Sequence, residues 1–157
     1  MAPDIAVKEL APRTIAYLHE HGGFQGISAA IGTLVAWAES RGHALAGEIG
    51  AHYFNDPART PERDWDWEVF VELKEPAAPT DASEGIGVRQ LPSALMATMV
   101  HRGRYDTVSE TYERLGAWID GHDYRHAGAP EEIYLSPPDV PADEVRTEVR
   151  IPVARPH

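Results

Sequence analysis

The chain has 157 residues, no cysteine and a formal net charge of -11, with 25 acidic against 14 basic residues. The lack of cysteine excludes disulfides and thiolate chemistry, and the acidic surface opposes direct binding to nucleic-acid phosphates. A hydrophobic content of 43% is enough for one core, and the sequence has neither an apolar run of about 18 residues nor a signal peptide, so we expect a cytoplasmic protein without membrane segments.

Strand and helix patterns follow one another at the start of the chain. Residues 7–10 and 15–18 are rich in apolar side chains on either side of Pro12, which predicts two short strands. After a double-glycine turn at Gly22, apolar residues recur every three or four positions from residue 27 to 38. This spacing is typical of an amphipathic helix.

Two further strands are predicted after this helix, at residues 48–54 and 65–73. In the second of them apolar and acidic residues alternate, with Asp66 and Glu68 on the polar side. Strict alternation is typical of a strand with one buried and one solvated face. The first half therefore predicts a β-α-β-β unit whose last strand has an acidic, solvated face.

The second half of the chain repeats the first. Residues 7–57 reappear about 81 positions later at 88–138 without a gap, and the match preserves bulky apolar residues and turn glycines while charges vary. Such a repeat preserves a packing unit. The corresponding helix is predicted near residues 108–119, and the corresponding strands are predicted at 131–135 and 147–153.

The repeat predicts an α+β fold of two fused β-α-β-β modules with antiparallel sheets. We expect a single domain over residues 1–157, with module one at 5–74, a linker rich in Pro and Ala at 75–86, and module two at 87–154. A three-stranded sheet with one helix leaves one of its faces uncovered. We therefore expect a pseudo-twofold relation between the modules and a central ligand cavity where they join.

The clearest difference between the copies lies in the third strand. Ala51 of the first copy aligns with Glu132 of the second, two residues before a tyrosine that both copies share, Tyr53 and Tyr134. Glu132 and Tyr134 therefore point to the same side of the strand. A desolvated carboxylate requires water, a proton or a cation, so we predict that Glu132 meets a cationic guest. The alternative is that Glu132 lies at an exposed strand end beside Glu131.

Aromatic side chains complete the predicted site. The face of each aromatic ring contributes roughly 0.5–2 kcal/mol to the binding of a cation, so the expected ligand is a hydrophobic, cationic aromatic compound. Trp37 and Trp118 occupy equivalent helix positions, and core packing is the alternative interpretation for both. The predicted ligand-binding residues are Glu132, Tyr134, Tyr53, Trp37, Trp65, Trp67, Tyr105 and Trp118.

Six segments in a fixed order carry a family resemblance. They are residues 7–12, 21–24, 53–57, 101–105, 132–135 and 147–153. With these segments the chain resembles the GyrI-like family, whose small-molecule-binding domains occur alone and as effector-binding halves of AraC-type and MerR-type multidrug regulators. The resemblance implies an aromatic-lined cavity in which a buried glutamate, here Glu132, meets lipophilic cations. No helix-turn-helix unit is expected, so the resemblance implies a stand-alone binder.

Two classes of function follow from this resemblance. The first is a binding protein that sequesters or senses hydrophobic cations, with a protein partner left open. The second is an enzyme, because some GyrI-like proteins resemble hydrolases that open the cyclopropane of DNA-alkylating natural products inside an aromatic tunnel. In that case Glu132 is the catalytic acid with Tyr134 as its hydrogen-bonding partner, and burial is expected to raise the pKa of Glu132.

A third class is inhibition of a DNA-handling enzyme through protein contact. An acidic face that includes Asp64, Asp66 and Glu68 would mimic phosphates in such a complex. Charged runs are more often solvated surface, so this function ranks below the other two.

Metal and cofactor sites are not predicted. His19 and His21 share one side of a strand, but no third ligand has convincing spacing in the sequence. The sequence also has no Gly-x-Gly-x-x-Gly motif and no phosphate-binding loop, so no nucleotide cofactor is expected.

Overall fold

The computed structural model describes residues 5–78, 80–83, 85–136 and 140–155. Two α-helices are found there, α1 (Ile27–Ser40) and α2 (Val108–Gly121). The strands in chain order are β1 (Ile5–Leu10), β2 (Arg13–His21), β3 (Leu45–Tyr53), β4 (Asp66–Leu73), β5 (Thr80–Ser83), β6 (Ile86–Leu91), β7 (Ala94–Arg102), β8 (Arg125–His126), β9 (Glu131–Tyr134) and β10 (Arg146–Ala154). Every helix and strand predicted from apolar periodicity is therefore present.

One compact unit is formed within residues 11–93. Its strands are antiparallel and follow the order β3-β4-β2-β6-β5, and α1 packs against β4 and β2. The buried residues of α1 are Ala30, Leu34 and Ala38, which have the spacing of a single helical face. Gly42 follows the helix with a φ of 76°, a conformation that favours glycine and ends the helix.

The other compact unit combines the described residues among 1–10 with those among 94–157. Its antiparallel strands follow the order β1-β7-β10-β9, with β8 beside β10, and α2 packs against β7 and β10. The buried apolar cluster of this unit consists of Ala97, Met99, Leu115, Ile119, Val149, Ile151 and Val153. Helix α2 and the sheet thus share one core.

The two sequence copies exchange their first strands. Strand β1 of the first copy pairs with β7 of the second, where Lys8 lies opposite Met96. Strand β6 of the second copy pairs with β2 of the first, where Arg89 lies opposite Ile15. Each predicted module therefore contributes its first strand to the sheet of the other, and the compact units differ from contiguous modules for this reason.

Part of the segment predicted as a linker is a strand. Strand β5 pairs antiparallel with β6, with Thr80 opposite Val88 and Ser83 opposite Ile86. The turn between the strands includes Gly85, whose φ of 83° favours glycine. Backbone hydrogen bonds form this short strand, and the segment lacks the apolar alternation that would have predicted it.

The α+β class with antiparallel sheets is confirmed, whereas the pseudo-twofold relation and the cavity stay predictions. Neither helix in the described part of the chain has the length and apolar character that crossing a bilayer requires.

Candidate ligand-binding site

Glu132 is buried on the helix-covered side of its sheet. It lies on β9 opposite Val149 of β10, and only 2% of the residue is exposed. Its Oε2 accepts a hydrogen bond of 2.6 Å from the hydroxyl of Tyr112 on α2, and Tyr112 packs against the apolar cluster of the unit. The alternative that placed Glu132 at an exposed strand end is therefore wrong.

Tyr134 and Thr147 lie on the same side of the sheet as Glu132. Tyr134 is two residues along β9 and is half-buried, and Thr147 of β10 pairs with it in register. Thr147 Oγ1 is buried, and no hydrogen bond to it is found among the described residues. A buried hydroxyl without a partner costs about 1–3 kcal/mol, so this position favours the approach of a water or a polar ligand group.

The sequence prediction missed Tyr112 as the partner of Glu132. Tyr112 corresponds to Ile31 of the first copy, just as Glu132 corresponds to Ala51. Both positions thus change together, from apolar in the first copy to polar in the second. A comparison of the copies on the helix as well as on the strand would have identified this pair.

A buried ion network lies on the opposite side of the same sheet. Arg150 Nη1 donates a hydrogen bond of 2.7 Å to Glu131 Oε2, and Arg150 Nε donates to Glu148. Lys8 Nζ donates to the other oxygen of Glu148 at 3.2 Å. Burial by itself would raise the pKa of Glu148, but the hydrogen bonds and charges of Arg150 and Lys8 lower it below its ordinary value of 4.5.

A similar arrangement surrounds Glu68 in the other unit. Arg89 donates two hydrogen bonds to this carboxylate, one of them 2.7 Å from Nη1 to Oε1, and His52 Nδ1 lies 2.8 Å from Oε2. Burial would raise the pKa of Glu68, but the hydrogen bonds from His52 and Arg89 and their charges lower it. In the repeat Arg89 corresponds to Lys8, so each exchanged first strand supplies a cation to a buried glutamate.

These contacts correct the prediction of an acidic, solvated face on β4. Glu68 is only 1% exposed, because it is hydrogen-bonded and paired as described above. The predicted phosphate-mimicking face of Asp64, Asp66 and Glu68 therefore lacks one of its three acids, and inhibition of a DNA-handling enzyme stays a prediction.

We expect the protein to lose stability in acid because of Glu68 and Glu148. The unfolded chain has the ordinary carboxyl pKa of 4.5, whereas both folded pKa values are lower. Between these values the unfolded chain binds more protons, so stability falls as the pH falls. The free energy of unfolding in urea is expected to hold above about pH 5.5 and to decrease progressively below the ordinary pKa.

The substitution Glu68→Gln is expected to make this acid dependence shallower, provided that the variant folds. The matched control is Glu113→Gln, which removes an exposed acid of α2 and should leave the slope unchanged. A wild-type protein that is as stable at about pH 3.5 as at about pH 6 would contradict the assignment.

Three of the predicted aromatic residues gather around Phe24, which the prediction did not include. The ring centroid of Phe24 lies 5.0 Å from that of Tyr53, 4.5 Å from that of Trp65 and 6.0 Å from that of Trp67. Both indole N–H groups donate to main-chain carbonyls at 2.8 Å, so the indoles are fixed in place. Phe24 corresponds to Tyr105 in the repeat; the side chain of Tyr105 lies outside the described part of the chain.

An open pocket of about 530 Å³ lies in the unit of residues 11–93. Trp67 forms part of its wall together with the apolar side chains of Leu18, Ala30 and Ile86, and Glu20 supplies a carboxylate. Of the predicted ligand-binding residues, Trp67 is the one that lines this described pocket.

Trp37 and Trp118 make local contacts near the ends of their helices. Arg41 lies over the ring of Trp37 at 5.0 Å from its centroid. The ring of Trp118 stacks on His122 at 4.1 Å and on Tyr124 at 5.8 Å, beside the apolar cluster. These contacts favour the packing interpretation, and a ligand-binding role of either tryptophan stays a prediction.

Solved structures with the same fold cover nearly the whole chain. The C-terminal domain of EcmrR has a TM-score of 0.82 at 19% identity, over 99% of both chains. A hydrolase from Listeria innocua has a TM-score of 0.70 at 16% identity, over 98% of this chain and 94% of that one. SAV2435 bound to tetraphenylphosphonium has a TM-score of 0.56 at 15% identity, over 96% and 94%.

At sequence identities this low, the structural similarity establishes a shared fold and nothing more. The chain spans only 57% of the EcmrR chain that was solved in a complex with DNA. The sequence has no match among curated proteins. Residues 3–154, however, match the sequence model of the GyrI-like small molecule binding domain. Since this match spans almost all of the chain, the protein belongs to the GyrI-like family of small-molecule-binding domains.

Proposed function

We propose that this domain binds hydrophobic, cationic aromatic compounds through Glu132, and that it sequesters or senses them. The observation that carries the proposal is the buried Glu132 carboxylate, held by the Tyr112 hydroxyl beside an apolar cluster. A small-molecule-binding family requires a ligand, and this arrangement supports one with positive charge and apolar bulk.

The energetics of burial favour a cation at this position. Removing an ionised carboxylate from water costs several kcal/mol even after relaxation. Each hydrogen bond to a charged group offsets about 1.5–3 kcal/mol of this cost. A cationic guest adds charge neutralisation that a neutral guest does not, and Tyr134 on the same side of β9 adds an aromatic ring.

A structural relative supports this ligand class. SAV2435 was solved with tetraphenylphosphonium, a delocalised cation with four phenyl rings. We infer that the present domain accepts the same chemical class, with the aromatic residues predicted from the sequence as candidates for contact with the rings.

A second candidate function is hydrolysis of cyclopropane-bearing, DNA-alkylating compounds. It is favoured by the Listeria innocua relatives that are named hydrolases and by the short hydrogen bond between Tyr112 and Glu132. In this function Glu132 orients the attacking water or transfers its proton, with Tyr134 as a hydrogen-bonding partner.

One experiment separates the two functions. The protein is mixed either with tetraphenylphosphonium or with a neutral cyclopropane electrophile, while tryptophan fluorescence and product mass are recorded together. We expect the cation to quench the tryptophan fluorescence saturably. We expect no product whose mass exceeds that of the electrophile by one water molecule. Turnover of the electrophile that ceases in Glu132→Gln would establish the hydrolase instead, and the absence of saturable quenching would contradict the binder.

A further inference from the structure

Three side chains of metal-binding type meet at one end of β2 and β4. His19 and His21 are two residues apart on β2 and share one side of the sheet, and Asp66 of β4 lies opposite His21. One ligand atom of each residue lies within 4.8 Å of those of the other two. His21 Nε2 lies 3.6 Å from Asp66 Oδ1, and His19 Nε2 contacts the same oxygen.

The main chain around Asp66 and His21 is held by hydrogen bonds on several sides. Gly22 N–H donates to the carbonyl of Trp65 at 2.8 Å, and the indole N–H of Trp67 donates to the carbonyl of Gly22 at 2.8 Å. The residues on both sides of Asp66 are thus tied to the residue that follows His21. The main chain that carries His21 and Asp66 is therefore held in place by hydrogen bonds of the fold.

His19 is positioned independently. Its backbone N–H donates to the carbonyl of Gly85 at 2.9 Å, and its ring stacks on that of Phe54 with centroids 5.8 Å apart. Phe54 is a large apolar side chain that is 42% exposed. An apolar ring next to a histidine shields one side of a metal site from water and restricts the orientation of the imidazole.

The fold itself does not require these three residues. His19 and His21 correspond to Val100 and Arg102 of the second copy, and strand pairing places Arg146 where the first copy has Asp66. Arg102 and Arg146 also lie opposite each other in register, so the same strand pairing forms with two cations in place of a histidine and a carboxylate. The shared strand pairing therefore does not require the two histidines and the carboxylate of the first copy.

We propose that His19, His21 and Asp66 bind a divalent transition-metal ion, with zinc as the best chemical match. Two imidazole nitrogens and a carboxylate oxygen are a common zinc ligand set, and ligand atoms around tetrahedral zinc lie about 3.3 Å apart. The side chains of His19, His21 and Asp66 are 38%, 68% and 34% exposed, so an ion has access and a fourth position stays open to water. The sequence prediction of no metal missed Asp66, which lies 47 positions beyond His19.

Isothermal titration with zinc chloride in a non-chelating buffer near neutral pH tests the site. We expect one zinc ion per chain. The variants His21→Ala and Asp66→Asn should each weaken binding by at least about tenfold, since even changes to residues that only support metal ligands cost about 10- to 100-fold. Because His21 is largely exposed, its substitution should leave the melting temperature of the metal-free protein unchanged.

The matched control is His126→Ala, because His126 lies 3.7 Å from Asp120 in another exposed histidine–aspartate pair. This variant should bind zinc as the wild type does. The imidazole NMR signals of His19 and His21 should shift on zinc addition, ahead of those of His126. The proposal is overturned if the wild type binds no zinc, or if His21→Ala and His126→Ala bind it equally well.

Discussion

Replacing Glu132 with glutamine is expected to weaken the binding of tetraphenylphosphonium by at least about 2 kcal/mol, roughly thirtyfold. Glutamine keeps the size of the side chain and can still accept a hydrogen bond from the Tyr112 hydroxyl, so the change removes chiefly the charge. The affinity for triphenylphosphine oxide, a neutral relative of the ligand, should change much less. Fluorescence titration of both ligands against both proteins measures the difference.

Two variants control this result. Glu113→Gln makes the same change of net charge on the exposed surface of α2 and should leave both affinities as they are. Tyr112→Phe removes the hydrogen bond to Glu132 but not its charge, so it should retain most of the cation affinity. An equal loss in Glu132→Gln and Glu113→Gln would show that long-range charge, rather than a contact at Glu132, governs binding.

Replacing Arg150 with methionine is expected to destabilise the fold by about 3–5 kcal/mol, the typical cost of removing one partner from a buried ion pair. Arg150 is 7% exposed at its side chain and contacts Glu131, which is fully buried, as well as Glu148. Its loss leaves two carboxylates without the guanidinium that they share. Urea unfolding at neutral pH measures the change in free energy.

The control for this substitution is Arg59→Met. Arg59 also lies near a carboxylate, at 3.7 Å from Asp56, but its side chain is 87% exposed. Exposed pairs contribute about 0–1 kcal/mol, so little change is expected. A loss below about 1 kcal/mol in Arg150→Met would mean that the buried network contributes no more than a surface pair.

The helices and strands were predictable from the sequence because apolar periodicity reports directly on which side of an element is buried. The exchange of β1 and β6 was not predictable, because the two copies carry equivalent first strands. A strand that pairs within its own copy and one that pairs with the other copy require the same side-chain pattern. Only long-range hydrogen bonds, such as those that place Lys8 opposite Met96, distinguish the two.

The burial of a charged side chain was predictable where the copies differ and not where its partners come from distant parts of the chain. Glu132 was identified because an acid replaces an alanine at an inward position. The buried state of Glu68 was not identified, because its partners His52 and Arg89 come from neighbouring strands. Alternation of acidic and apolar residues therefore predicted a solvated face at a place where ion pairing makes burial favourable.

Binding of a lipophilic cation beside Glu132 underlies the proposed function. Crystals grown with tetraphenylarsonium test it most directly, because arsenic gives an anomalous signal that locates the centre of the cation. We expect one strong anomalous peak near the Glu132 carboxylate and within about 6 Å of an aromatic ring. A peak remote from Glu132, or none in crystals of a protein that binds the ion in solution, would contradict it.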